Sequence, residues 1–167
     1  MKHLKTPITK EDLTDLKVGE TVKISGYIFT GRDTVLPKLV ALGNQGKLED
    51  MGISLEGSII FHTAVSDAGV GPTSSNKVEI ENSMVPLSKQ GVRLHLGKGA
   101  ISKETVEGLA EEDSVFAIIP PVSALLGSQT VEKQVIAFPE LGMEAMHRLK
   151  VVEYTVIIAA AHGQSLY

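Results

Sequence analysis

Short runs of alternating and continuous apolar residues divide the chain into strands separated by a few brief helices. Thr21 to Phe29 places Val22 and Ile24, then Tyr27 and Phe29, on repeating positions around Gly26, which predicts a strand with a glycine-marked irregularity. Ser58–Ala64 (SIIFHTA), Val92–Leu96, Val115–Ile119, Val131–Phe138 and Val151–Ala161 read as further strands, and Pro120-Pro121 stops the third of these. Thr9–Leu16 predicts a helix with Thr9 as N-cap and acids in its first turn, ended before Gly19. Arg32–Leu42 carries Val35, Leu39 and Leu42 at helical spacing, so Pro37 must sit near its first turn. Ser102–Ala110 predicts a helix capped by Ser102, and Ser123–Leu126 a brief one. Asn44–Gly57 and the Gly/Ser/Pro-rich Ser66–Ser75 read as connections. At least five strands with short intervening helices predict a compact mixed α/β or α+β fold, with α/β and a mixed sheet the leading expectation, as one domain over residues 1–167.

Composition narrows the function classes. With 167 residues, 43% apolar and 22% charged, the chain can bury a real core. A formal charge of −4, from 16 basic and 20 acidic residues, argues against nucleic acid or an anionic membrane as partner. There is no cysteine, so the chain cannot ligate an iron–sulfur cluster or a thiolate-bound zinc by itself. The opening MKHLKTPITKEDL has no apolar core, so no secretory leader is expected, and Val156–Ala161 is too short to span a membrane.

Four places carry candidate chemistry. Thr30-Gly31-Arg32-Asp33 follows a strand, where an arginine at a strand-to-helix junction can grip a carboxylate; a surface arginine beside a helix cap is the plainer reading. In GVGPTSSNK, a helix starting after Pro72 would gather free N–H groups with the hydroxyls of Thr73, Ser74 and Ser75, and with Lys77, into an anion cradle. The spacing is not that of a P-loop, and a polar turn with a hydroxyl cap is the alternative. Gly97-Lys98-Gly99 lets the backbone approach a ligand beside a point charge, or is a plain glycine turn. Phe138–Arg148 holds Glu140, Glu144, His147 and Arg148; Glu144 and His147, three apart, are expected on one helix face. That pair has too few ligands for a metal, and no metal site is expected in this chain. His62, His95 and His162 lie on separate segments, and the sequence does not cluster them.

The order of these segments resembles the beta subunit, or C-terminal domain, of class I fumarate hydratases and L-tartrate dehydratases. The resemblance runs almost end to end. It rests on Leu16–Val22 with Ile24-Ser25-Gly26 and Thr30–Asp33, on Gly71-Pro72-Thr73-Ser74-Ser75, on Gly97-Lys98-Gly99, on Phe138–Met146 (FPELGMEAM) and on Gly163–Tyr167. It implies a swivelling β/β/α domain that closes over a [4Fe-4S] cluster carried by a separate alpha subunit. It also implies a higher hetero-oligomer, a small dicarboxylate substrate and a cytoplasmic location. By the same resemblance Arg32 clamps a substrate carboxylate, with Lys77 and Lys98 as further contacts, and Thr73 and Ser74 form the catalytic hydroxyl pair. The chain departs from the family pattern at Leu36, where a histidine is usual. It departs also at Lys77 in place of arginine, at Pro120-Pro121 in place of glycines, and at Ala161-His162 in place of an acidic pair. Interconversion of fumarate and malate is the leading expectation. Dehydration of L-tartrate and a non-catalytic anion-binding partner module are the alternatives.

Overall fold

The computed structural model describes residues 2–66, 69–72, 77–119 and 129–166. Among these the chain runs β1 (Lys2–Lys5), α1 (Lys10–Thr14), β2 (Thr21–Thr30), α2 (Val35–Asn44), β3 (Ile59–Phe61), β4 (Thr63–Ser66) and β5 (Gly69–Pro72). It continues through α3 (Lys77–Lys89), β6 (Leu94–Gly97), α4 (Lys103–Glu111), β7 (Val115–Ile118), β8 (Thr130–Ala137), β9 (Met146–Ala161) and β10 (Gln164–Ser165). Short 3-10 turns occupy Glu49–Met51 and Pro139–Glu144.

Strands β2, β3, β6 and β7 lie side by side and parallel, in chain order. The long β9 runs antiparallel to β7 and also to β2, so the pairings return to their start and the five strands close on themselves. β8 adds to the free part of the other side of β9, β1 pairs with β2, and β4 with β5 forms a separate two-stranded hairpin. Strand alternation sorts the side chains. Ile59, Phe61, Leu94, Leu96, Val115 and Ala117 join Val22, Ile24, Tyr154 and Val156 in one core. Ile60, Phe116 and Ala160 face the opposite way, onto Leu36 and Leu39 of α2, Met84 and Leu87 of α3, and Val106 and Leu109 of α4. The mixed sheet with helices bears out the α/β expectation.

Local signals behave as read at the caps. Thr9 and Asp12 form a reciprocal capping box at α1, and the Ser102 hydroxyl accepts from the Thr105 N–H at α4. The irregularity at Gly26 is a register shift between Ile24 and Gly26 in the β2–β9 pairing. Three readings are corrected. Ser66–Ser75 is not all loop, because Gly69–Pro72 pairs with Thr63–Ser66. The SIIFHTA run is two strands, broken at His62 and belonging to different sheets. The last long strand begins at Met146, five residues before Val151. Helix α3, with Pro86 inside it, is not among the predicted elements, although Ile80, Met84 and Leu87 stand at helical spacing. The brief helix at Ser123–Leu126 and the Pro120-Pro121 stop lie outside the described residues.

One buried cation ties the helix layer together. Arg93, 5% exposed, donates from Nε to the Gly91 carbonyl (3.1 Å) and from Nη2 to the Ser88 carbonyl (2.8 Å), just at the end of α3. Its Nη1 donates to the carbonyls of Asp113 (2.9 Å) and Glu112, just past α4. Carbonyls at helix C-termini carry partial negative charge and lack intrahelical donors, so one guanidinium serves two helix ends. Arg93→Met removes the side-chain donor from all four carbonyls, leaving Ser88 and Gly91 with one backbone N–H each, from Gly91 and Gly57. It is expected to cost about 3 kcal/mol, read as a lower urea midpoint at unchanged slope.

Candidate functional site

All four parallel strands end at the same edge of the closed sheet, and two of the sequence-predicted residues, Arg32 and Lys98, stand just past strand ends there. In register, Thr30 lies opposite Phe61, and Phe61 opposite Leu96. Beyond the strand ends the ladder continues: Gly31 N–H donates to the Phe61 carbonyl (3.0 Å) and His62 N–H to the Leu96 carbonyl (2.8 Å). Arg32 therefore follows β2 and Lys98 follows β6 on either side of β3. Two strand spacings separate those backbones, roughly 10 Å. The C-terminal edge of parallel strands is where open α/β sheets bind ligands.

Each position has a local cause. A Cβ on Gly31 would come within 2.9 Å of Leu36 Cδ2 and 3.2 Å of Val35 Cγ1, so the TGRD turn needs glycine because the first turn of α2 folds beneath it. Leu36, one of the departures from the family pattern, is fully buried there. The Arg32 carbonyl accepts from the N–H groups of Val35 and Leu36, both at 3.0 Å, and starts the helix. The Arg32 guanidinium, 19% exposed, is paired with the Glu144 carboxylate at 3.0 Å. Lys98 is exposed between Gly97, the last residue of β6, and Gly99, whose φ is +79°.

The β4–β5 hairpin rises from the same edge and returns to it, since Pro72 lies opposite Thr63. Thr73 and Ser74 lie outside the described residues, and Lys77 is the first residue of α3.

The Phe138–Arg148 cluster is not a helix. Phe138 has a left-handed backbone and Gly142, at φ +61° and ψ −121°, breaks the 3-10 turn, after which the chain enters β9. Glu144 and His147 consequently share no helix face. Glu144 reaches Arg32, whereas His147 is buried, its backbone N–H donating to Thr30 Oγ1 (3.0 Å) and its Nδ1–H to the Ala145 carbonyl (2.9 Å). Arg148 lies on the outer face over the Tyr27 ring, and Glu140 is exposed. The Arg32–Glu144 pair was not legible from spacing; the nearest signal is that both residues stand in motifs that carry the family resemblance.

Beneath the edge sits a polar cluster that sequence reasoning missed. The rings of His62 and His95 are 5.9 Å apart, and His95 Nε2 is hydrogen-bonded to Ser88 Oγ at 2.8 Å. His62 Nε2 and His95 Nδ1 are buried with no hydrogen-bond partner among the described residues. Burial holds His62 down at about 4, and burial, His62 and Arg93 together hold His95 well below the ordinary histidine value. The alternation in Val92–Leu96 does put His95 and Arg93 on one face, but that face is covered by helices and not by water.

A cleft of about 490 Å³ lies elsewhere, between the end of α2 and residues 48–56. Its charged lining is Glu49 and Glu56, the wrong sign for an anion. Among the described residues no three His, Asp or Glu side chains converge as metal ligands, and the chain has no thiolate. Its own donor set does not fit an iron–sulfur cluster. No helix of the described residues is long and apolar enough to cross a membrane.

Parallel strands with crossover helices, ending beside an arginine paired with a carboxylate of the same chain, define an α/β protein with a charged pair at its strand edge. The sequence model of the family described as Fumarase C-terminus matches residues 2–167, and the chain belongs to that family. It is 32% identical to the L(+)-tartrate dehydratase subunit beta of Escherichia coli (strain K12) over 99% of this chain and 86% of that one. It is 30% identical to a Geobacillus stearothermophilus protein named "Putative fumarate hydratase class I", over 98% of this chain; it spans only 33% of that longer relative.

The histidine pair makes the edge acid-sensitive. A histidine whose folded value is depressed binds fewer protons folded than unfolded between about pH 6.5 and 4, so stability falls as pH drops through that window. For His62 the loss by pH 4 is roughly 3 kcal/mol. Urea titrations at pH 7 and pH 4 should show a smaller acid loss in His62→Leu than in the wild type.

Proposed function

We propose that this chain is the beta subunit of a hydro-lyase that adds or removes water in a four-carbon dicarboxylate. Fumarate and malate are the first substrates to test, with L-tartrate as the second. The observation that carries this reading is the Arg32–Glu144 pair at 3.0 Å, a carboxylate bound at the strand edge in a chain of the Fumarase C-terminus family. The second substrate has support in the tartrate dehydratase subunit beta of E. coli, whose length this chain largely matches.

In this reading a [4Fe-4S] cluster belongs to an alpha-type partner subunit and supplies Lewis-acid chemistry at the substrate hydroxyl. The tasks of this chain are binding, orientation and proton handling. Arg32 offers a planar fork to one substrate carboxylate. Lys98, one strand beyond β3, offers a compact charge to another oxygen or to charge that develops during the reaction. Lys77 adds a further cation. Thr73 and Ser74 hold the proton next to a carboxylate, and their hydroxyls need neighbouring cations to act, because a free hydroxyl is a poor base. The domain swivels to bring this edge to the partner's metal, and the complex is a cytoplasmic hetero-oligomer.

The test is anaerobic reconstitution with an alpha-type subunit, following fumarate absorbance on adding malate, then the same with tartrate. Arg32→Ala is expected to lower kcat/KM by at least about a hundredfold, the scale of ~2–5 kcal/mol for a lost charged clamp. Thr73→Val, nearly isosteric, should lower kcat more than it raises KM. Unchanged turnover in both variants would favour a non-catalytic anion-binding module.

A further inference from the structure

The 3-10 turn Pro139–Glu144 is far in sequence from the strand edge, yet it delivers one carboxylate to the arginine there. We infer that Glu144 is an internal stand-in for a ligand carboxylate: it occupies the Arg32 guanidinium until an external carboxylate replaces it. The inference deepens the proposed hydro-lyase reading and rests on Arg32 as its carboxylate clamp.

Three observations carry it. Glu144 meets Arg32 through Oε1 and Nη1 at 3.0 Å, and among the described residues Arg32 is the sole polar partner of Glu144. The Glu144 side chain is 39% exposed, so water is at hand to solvate it once released. Partly exposed pairs of this kind are weak, whereas an incoming carboxylate can engage the fork with two parallel charge-assisted bonds. Finally, the backbone around Glu144 is fixed on both sides. Leu141 N–H donates to the Phe138 carbonyl, Ala145 N–H donates to the Gly142 carbonyl, and β9 starts at Met146. Exchange therefore needs a rotation of the Glu144 side chain and no movement of the sheet. Until then the pair keeps a mostly buried guanidinium compensated.

The alternative role for the same pair is orientation, in which Glu144 holds the guanidinium in its binding pose. The two roles have opposite signs. If Glu144 competes, removing its charge tightens ligand binding; if it orients, removal weakens it.

The experiment titrates succinate, a non-reacting four-carbon dicarboxylate, into the isotope-labelled full chain at low salt. Chemical-shift changes are followed in the wild type, Glu144→Gln, Arg32→Gln and the double variant. Amide spectra and thermal midpoints show that each is folded. Glu144→Gln is expected to bind about two- to fivefold tighter than wild type, the range a partly exposed pair can supply. The gain should vanish when Arg32 is also replaced. Equal or weaker binding in Glu144→Gln overturns the inference, as does a gain that survives loss of Arg32, or no succinate binding by wild type and Glu144→Gln alike. Malate turnover of the reconstituted complex separates the two proposals. Turnover without the gain overturns the stand-in alone, and the gain without turnover on any dicarboxylate overturns the hydro-lyase reading alone.

Discussion

The 16 residues of β9 hydrogen-bond on one side to β2 and on the other to β8 and then β7, and this double pairing joins the two ends of the parallel array. Without it β2, β3, β6 and β7 would form an open sheet with two exposed edges. With it, Val22, Ile24, Tyr154 and Val156 pack against Phe61, Leu94 and Leu96 in a single interior. The Phe61 and Tyr154 rings meet edge-on at 6.4 Å across that interior. Closure fixes where each strand stops, and the place where β2 and β6 stop decides where Arg32 and Lys98 stand.

The layer beneath that edge is unusually polar for a core. His62, His95, Ser88 and Arg93 are all buried between the sheet and the helices. The arginine is satisfied by four carbonyls, whereas each histidine keeps one nitrogen without a partner among the described residues. Neutral imidazoles tolerate this at neutral pH, and protonated ones do not. The helix layer is thus secured by a permanent cation, while the floor of the edge depends on two groups staying uncharged.

Much of the fold was legible because local chemistry and tertiary placement agree. Thr9 and Ser102 cap helices as their sequence contexts predict, and the strand runs at β2, β3, β6 and β7 follow from apolar alternation or continuity. Helix α3 was obscured because the polar residues and Pro86 of KVEIENSMVPLSK mask the helical spacing of Ile80, Met84 and Leu87, which pack into the helix-side core. The β4–β5 hairpin was hidden because Gly69–Pro72 has loop composition yet is held by pairing. Arg32 and Lys98 follow strands, as the apolar patterns before them predict, whereas their sharing one edge comes from the parallel pairing of β2, β3 and β6. The partner of Arg32 was not legible, because Glu144 arrives through a turn whose geometry depends on a left-handed phenylalanine and an unusual glycine, neither of which has a periodic signature.

Gly97 is where the ring floor and the edge share one small volume. A Cβ there would stand 3.1 Å from His62 Nδ1 and 3.4 Å from Phe116 Cε1. The imidazole of residue 62 thus fills the room that a side chain at residue 97 would otherwise claim. Position 62, just past β3, and position 97, the last of β6, are therefore bound by a joint volume limit. A side chain at residue 97 requires the imidazole to give by a few tenths of an ångström, and the Phe116 ring stands close behind it. Change at this edge is then coupled in pairs, because the volume of either position sets what the other can hold.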